Sequence, residues 1–240
     1  MPLKKNILIF NWKMNPETIS EAILLFKKTN ETIKDYKGEV VVTAPFVFLS
    51  SLVDLKRKLK SKIKLCAQNV FYHKNGAFTG EISLKQLESI QVNHVLIGHS
   101  ERRKMGESDF LINKKVKEAV KADFNVIVAV GEKSKWPLFI SERYVQYQLY
   151  RALIGVSSMR KIIVAYEPIW AIGTGENPSL GHIKVISRRL GKFGAPVLYG
   201  GSVTSQNIKS LIECESIDGA LIGGASLSSI KVKNIISKIN

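Results

Sequence analysis

A few residues in this chain have side chains suited to moving a proton or holding an anion, and they follow directly on apolar runs. Glu167 ends the stretch Lys161, Ile162, Ile163, Val164, Ala165, Tyr166 and is followed at once by Pro168. A carboxylate at the end of a rigid strand can be aimed as a proton-transfer base; a purely structural Glu167 would be a cap or an ion-pair partner. His99 follows HVLIG and precedes Ser100, Glu101, Arg102 and Arg103, where a short helix can start. Amide groups at that start would oppose protonation of the ring and leave a neutral hydrogen-bond donor, although a lone histidine is also a common structural hydrogen-bonder. Lys13, just past Asn11, could neutralise an anionic substrate or lie on the rim as an ordinary surface lysine. Glu101 could reach Lys13 or pair with Arg102 or Arg103.

Two glycine pairs point to a phosphate. Tyr199–Ser202 reads YGGS and Ile222–Ser226 reads IGGAS, both at the ends of apolar runs. Glycine lets backbone N–H groups approach an anion where a Cβ would obstruct, and a following helix start adds a favourable dipole. Either pair alone could be a tight turn; two on successive strands make a better case. His73, His94, His99 and His182 lack paired-ligand spacing, and His94 and His99 are placed on opposite faces of one strand, so no metal site is expected.

These groups need elements to position them. Short β-branched runs begin at Ile7, Val40, Ile63, His94, Val126, Ile162, Pro196 and Gly219. Stretches of helical period lie between them, as in the segment from Phe110, where Ile112, Val116, Ala119 and Val120 form one stripe with lysines opposite. Strands apolar on both faces, alternating with helices, imply parallel pairing under helical cover. The 240 residues leave about 30 per unit, the size of a βα repeat, so the reading is α/β, a closed parallel (β/α)8 barrel. A doubly wound sheet would carry a G-x-G-x-x-G turn after its first strand, whereas this strand runs into NWKMN. No linker divides residues 1–240, which are read as one domain. In a barrel every strand's carboxyl end faces the same mouth, where Asn11, Lys13, Gln68, Asn69, His99, Glu101, Glu132, Glu167, Ser202, Gly223 and Gly224 would gather.

Composition excludes several classes. Apolar residues make up 45% and charged residues 23%, which argues against disorder. The net charge of +16 favours an anionic partner, but the lysines are scattered over helix-like faces without interleaved aromatics, so no specific nucleic-acid partner is expected. Cys66 and Cys214 form no metal or disulfide framework, which makes a reducing cytoplasm the default. No run approaches the roughly 18 apolar residues of a membrane span, and the amino-terminal apolar run is broken by Asn11 and Lys13 before a signal core forms.

The motifs together resemble the triosephosphate isomerase family. NWKMN from Asn11, AQNVF from Ala67, GAFTGE from Gly76, IGHSERR from Ile97, AYEPIWAIGTG from Ala165, LYGGSV from Leu198 and IGGASL from Ile222 occur in family order along the whole chain. The resemblance implies isomerisation of dihydroxyacetone phosphate and D-glyceraldehyde 3-phosphate without cofactor or metal, in glycolysis and gluconeogenesis. It implies Glu167 as base, His99 as donor to the substrate oxygens, Lys13 and Asn11 as charge stabilisers, and Glu101 as support through the lysine. Gly173, Ser202, Gly223 and Gly224 would supply amides to the phosphate. Pro168, Ile169, Trp170, Ala171, Ile172, Gly173, Thr174 and Gly175 would form a lid that excludes water. It also implies a homodimer in which Thr79, on the GAFTGE loop, reaches the partner's site.

Some positions depart from the family pattern. Ala129 replaces a usual cysteine but keeps a small buried side chain. In many members the far hinge of the lid gives a backbone N–H to the tyrosine matching Tyr199; here Pro178 has none to give, and closure is expected to rely on Trp170, Glu132 or Ser202. The loop after His99 and the segment from Gly181 to Pro196 are shorter than in many members. Two other functions compete with the isomerase. A barrel for a larger sugar phosphate is opposed by the small lid with its bulky Trp170. A non-enzymatic basic binding protein is opposed by the joint presence of Lys13, His99 and Glu167.

Overall fold

A computed structural model of the chain describes residues 6–240. Among them, eight parallel strands close into a barrel in sequence order: β1 Ile7–Asn11, β2 Glu39–Ala44, β3 Lys64–Ala67, β4 His94–Ile97, β5 Asn125–Val130, β6 Ile162–Tyr166, β7 Val197–Tyr199 and β8 Gly219–Ile222. β1 pairs with β2 on one side and β8 on the other, Ile7 standing opposite both Glu39 and Gly219. Helices cover the outside: α1 Ile19–Thr32, α2 Phe46–Lys58, α3 Leu84–Ser89, α4 Ser100–Lys104, α5 Asp109–Lys121, α6 Leu138–Leu153, α7 Leu180–Gly191, α8 Ile208–Glu213 and α9 Ser229–Ile236. All eight expected strands are present within a residue or two of the expected starts. Among the described residues no helix is long and apolar enough to cross a membrane.

Alternation along each strand builds two cores. Inward residues Ile9, Val41, Leu96, Ile127, Ala165 and Leu198 fill the barrel, while their neighbours Leu8, Val42, Val95, Val126, Val164 and Val197 pack outward against the helices. Ala129 lies fully buried in the inner set, as its small size predicts. Cys66 is buried there too, and burial pushes its thiol up to about 12, so it stays protonated and inert. Caps set the helix starts. Thr18 accepts from the Glu21 N–H while the Glu21 side chain accepts from the Thr18 N–H, a reciprocal arrangement repeated by Ser83 and Gln86.

The helix from Asp109 does not follow the expected division into an apolar stripe and a solvated lysine face. Lys115 is 1% exposed. Its ammonium donates to Asn69 Oδ1 at 2.8 Å and pairs with Glu107, itself buried, while Arg102 Nε stands 3.8 Å from the same Glu107 oxygen. A buried cation is tolerated only with such partners, and losing one would strand the other. The network joins the exit of β3 to the segment between α4 and α5.

His94 and His99 are not on opposite faces of one strand. His94 shares inward parity with Leu96 at the amino-terminal end of the barrel, and Gly98 (φ +75°) breaks the alternation before His99. A Cβ at Gly98 would also crowd Ala129 O at 3.2 Å.

Burial, then the charges of Lys64, Lys56 and Lys161, push His94 down from 6.5 to about 3. The folded state therefore holds the ring neutral where the unfolded chain would protonate it. This contribution is fully present above pH 6.5 and is lost as pH falls toward 3. Urea unfolding at pH 7 and pH 4.5 should show stability falling by at most about 1.4 kcal/mol per pH unit on this group's account. His94→Gln should flatten that slope; identical slopes in the two proteins would remove His94 as its source.

Candidate active site

A cavity of about 770 Å³ opens at the carboxyl ends of the strands. Asn11, Lys13, His99 and Glu167 line it together with Gly173, Ser202, Gly223 and Gly224. Seven of the eleven groups expected at one mouth thus share one space; Gln68, Asn69, Glu101 and Glu132 are not in its walls, Asn69 being turned to Lys115 and Glu132 fully buried.

Glu167 is 2% exposed and held from two sides. The Ser100 N–H donates to its Oε2 at 3.0 Å, and His99 Nε2 lies 3.1 Å from its Oε1. His99 caps α4, its Nδ1 accepting from the Glu101 N–H at 3.3 Å. An Nδ1 that accepts leaves Nε2 as the ring position that donates toward Glu167. The backbone around Glu167 leaves little freedom. Its N–H donates to Val130 O at 2.8 Å, and a Cβ at Gly131 would fall 1.6 Å from Glu167 O. Only glycine fits beside Glu167.

Lys13 adopts φ +54°, a left-handed conformation that costs a non-glycine residue about 1–3 kcal/mol. Two contacts hold it. Its N–H donates to Asn11 Oδ1 at 3.0 Å, and Gln68 Nε2 donates to its carbonyl at 2.6 Å. Its ammonium reaches Glu101 Oε1 at 2.6 Å, so the lysine–glutamate pairing across the mouth exists, and Glu101 is not spent on Arg102 or Arg103. Arg103 instead ties the site's walls together, donating to Gly98 O, Asp109 and Ala129 O.

The glycine turns stand next to the lysine. A Cβ at Gly223 would lie 3.2 Å from Lys13 Cε. Gly224–Leu227 forms a 3-10 turn, and the buried Ser226 hydroxyl donates to Gly223 O at 2.6 Å, with Asn11 O also within reach at 3.3 Å. This bond fixes the turn against the end of β1.

Residues 168–175 begin in a 3-10 turn, Ile169–Ala171, and end in an exposed tip around Gly173, Thr174 and Gly175. Trp170 Nε1 donates to Glu132 Oε1 at 2.8 Å, Tyr166 Oη donates to the same oxygen at 3.0 Å, and Ser202 Oγ donates to Ala171 O at 2.7 Å. Glu132 is fully buried, and desolvation raises its carboxyl above the usual range. Trp170 and Ser202 thus tie the segment 168–175 to Glu132 and to the end of β7. Tyr199, to which Pro178 can give no N–H, has a different partner: its hydroxyl donates to Asn177 Oδ1 at 2.8 Å, so a side chain one residue before Pro178 takes the bond.

Sequence reasoning named the charged groups and missed their supports. Ser100 acts through its main-chain N–H, which no residue type advertises, and Asn177 lies outside the motifs. Lys115 was hidden by sitting in a lysine-rich helix. Thr79 lies on an exposed loop and outside the cavity walls. Among the described residues no group of three His, Cys, Asp or Glu side chains could hold a metal ion.

The architecture defines a (β/α)8 barrel with ionisable groups and glycine turns collected at the carboxyl-end mouth. The family model for triosephosphate isomerase matches residues 6–239. A triosephosphate isomerase of Clostridium acetobutylicum is 40% identical over 250 residues, covering 98% of this chain and all of the relative. One from Dehalococcoides mccartyi is 43% identical over 242 residues, 95% of this chain and 93% of the relative. One from Caldanaerobacter subterraneus is 41% identical over 257 residues, 98% of this chain and all of the relative. The chain belongs to the triosephosphate isomerase family, a family of isomerase enzymes.

The bond between Tyr199 and Asn177 can be measured as a coupling. Tyr199→Phe and Asn177→Ala should each lower kcat/KM about two- to tenfold, the range for one hydrogen bond, and the double variant should lose no more than the worse single one. Losses that multiply in full would show that the two side chains act independently.

Proposed function

We propose that this protein interconverts dihydroxyacetone phosphate and D-glyceraldehyde 3-phosphate by glutamate-mediated proton transfer through an enediolate, serving glycolysis and gluconeogenesis. The observation that carries this reading is the shared cavity of Glu167, His99, Lys13 and two glycine turns. Glu167 takes the proton from the carbon beside the carbonyl, and the electron pair left behind forms the enediolate. His99 Nε2–H donates to the oxygens that gain charge, and Lys13 balances that charge, with Asn11 holding the lysine in place. Glu167 then returns the proton to the neighbouring carbon, while the hydroxyl proton of the first carbon's oxygen passes to the former carbonyl oxygen, so that carbonyl and hydroxyl exchange places. Atoms and electrons stay within one molecule, and the scheme calls on no redox cofactor or metal.

Without substrate, the Glu167 carboxylate is occupied by the Ser100 N–H and His99. Substrate oxygens that accept from His99 compete for its donor and free the carboxylate to turn toward carbon. Gly173, Ser202, Gly223 and Gly224 present amides to the phosphate, and residues 168–175 close over it, keeping water from an enediolate that would otherwise eliminate phosphate. A second copy of the chain completes the assembly in this reading, with Thr79 and the aromatic cluster of Phe71, Tyr72 and Phe78 at the contact. The compartment that fits two reduced cysteines and this metabolism is the cytoplasm.

A coupled assay with glyceraldehyde 3-phosphate should show isomerisation that falls about 10²- to 10⁴-fold in Glu167→Ala, the usual worth of a positioned base. Undiminished turnover in that variant would place the base elsewhere. Sedimentation at micromolar concentration should give a dimer; a fully active monomer would remove dimerisation as a requirement.

A further inference from the structure

The mouth cavity does not stop at the glycine turns. Its outer end passes Ser205 and Gln206, in the segment after β7, and reaches Lys231 and Asn234 on α9. Residues three apart on a helix share a face, so α9 presents a cation and an amide to one wall. At about 770 Å³ the whole cavity lies in the range of sites that enclose a drug-sized ligand, well beyond the needs of a triose monophosphate. Glu167, at the far end, is the only acidic residue in its walls among the described residues. Lys231 itself enters no ion pair among the described residues; its recorded bond there is the main-chain N–H to Ser228 Oγ at 3.4 Å.

The cavity thus has cations at both ends of the glycine turns, Lys13 inside and Lys231 outside. Lys13 already has an anionic partner in Glu101, whereas Lys231 has none. We propose that the outer end is a second anion subsite, built by Gln206, Lys231 and Asn234, so that an anion with two linked phosphoryl groups spans it and the glycine turns. The proposal rests on the reading that those turns hold a phosphate. One phosphoryl group takes the amides of Gly223 and Gly224, and the second takes a charge-assisted bond from Lys231 with amide donors from Gln206 and Asn234. Such an anion would occupy the substrate's own phosphate position and compete with it.

Calorimetric titration with inorganic phosphate and inorganic pyrophosphate, at fixed ionic strength, tests this in the intact protein. The control is Lys233→Gln, which removes the same charge from the same helix at an exposed residue outside the cavity walls. Pyrophosphate should bind about tenfold more tightly than phosphate. Lys231→Gln should erase that advantage and change phosphate affinity less than about twofold, while Lys233→Gln should leave the advantage intact. Dihydroxyacetone phosphate should displace the pyrophosphate. Equal affinity for the two anions, or equal effects of the two variants, would overturn the subsite and leave only a general field of positive charge. Binding of neither anion would overturn the phosphate reading of the glycine turns as well. Preferential pyrophosphate binding in a protein that does not isomerise triose phosphates would uphold the subsite and sink the proposed reaction alone.

Discussion

The pairing of β1 with β8 is the constraint on which the site depends. An open sheet would leave Asn11 and Gly223 at opposite edges, far apart in space as well as in sequence. Closure places the end of the first strand beside the end of the last, so Ser226 can bond to the turn at Gly223 within reach of Asn11 O, and Gly223 can approach Lys13. Parallel pairing around the ring then delivers His99 from β4 and Glu167 from β6 to the same mouth. No single pairwise contact could substitute for that geometry, because the side chains come from strands distributed over the whole chain.

Within that frame the site is held mostly by main-chain groups. Amides of Ser100 and Glu101 fix Glu167 and His99, a carbonyl of Lys13 is gripped by Gln68, and a glycine at 131 is required by the backbone of Glu167 itself. Main-chain donors cost little to preorganise because the barrel has already fixed them. The cost appears elsewhere, in the left-handed backbone of Lys13 and in the burial of Lys115 with Glu107 behind the site.

The strands were legible because they are apolar on both faces, which is what a ring covered by helices demands. The ionisable residues were legible because each terminates such a run. Other features escaped for physical reasons. A buried lysine in a helix with lysines on its other faces has the same one-letter signature as a solvated one, and only the position of Glu107 and Asn69 after folding separates them. The parity of His94 and His99 failed because one positive-φ glycine is enough to reverse a face. Asn177 was invisible because its partner, Tyr199, lies on the next strand, and sequence spacing carries no information about a bond made across that gap.

That last bond has an evolutionary consequence. A latch made from a main-chain amide is present whatever side chain the residue carries, so mutation can hardly adjust it. A latch made by the Asn177 side chain is written in a single codon. Substitution there can lengthen it, charge it or delete it while Pro178 stays buried and the barrel stays closed. Asn177 is therefore a point at which the tie between the segment 168–178 and β7 can be retuned by selection, independently of the residues that line the cavity.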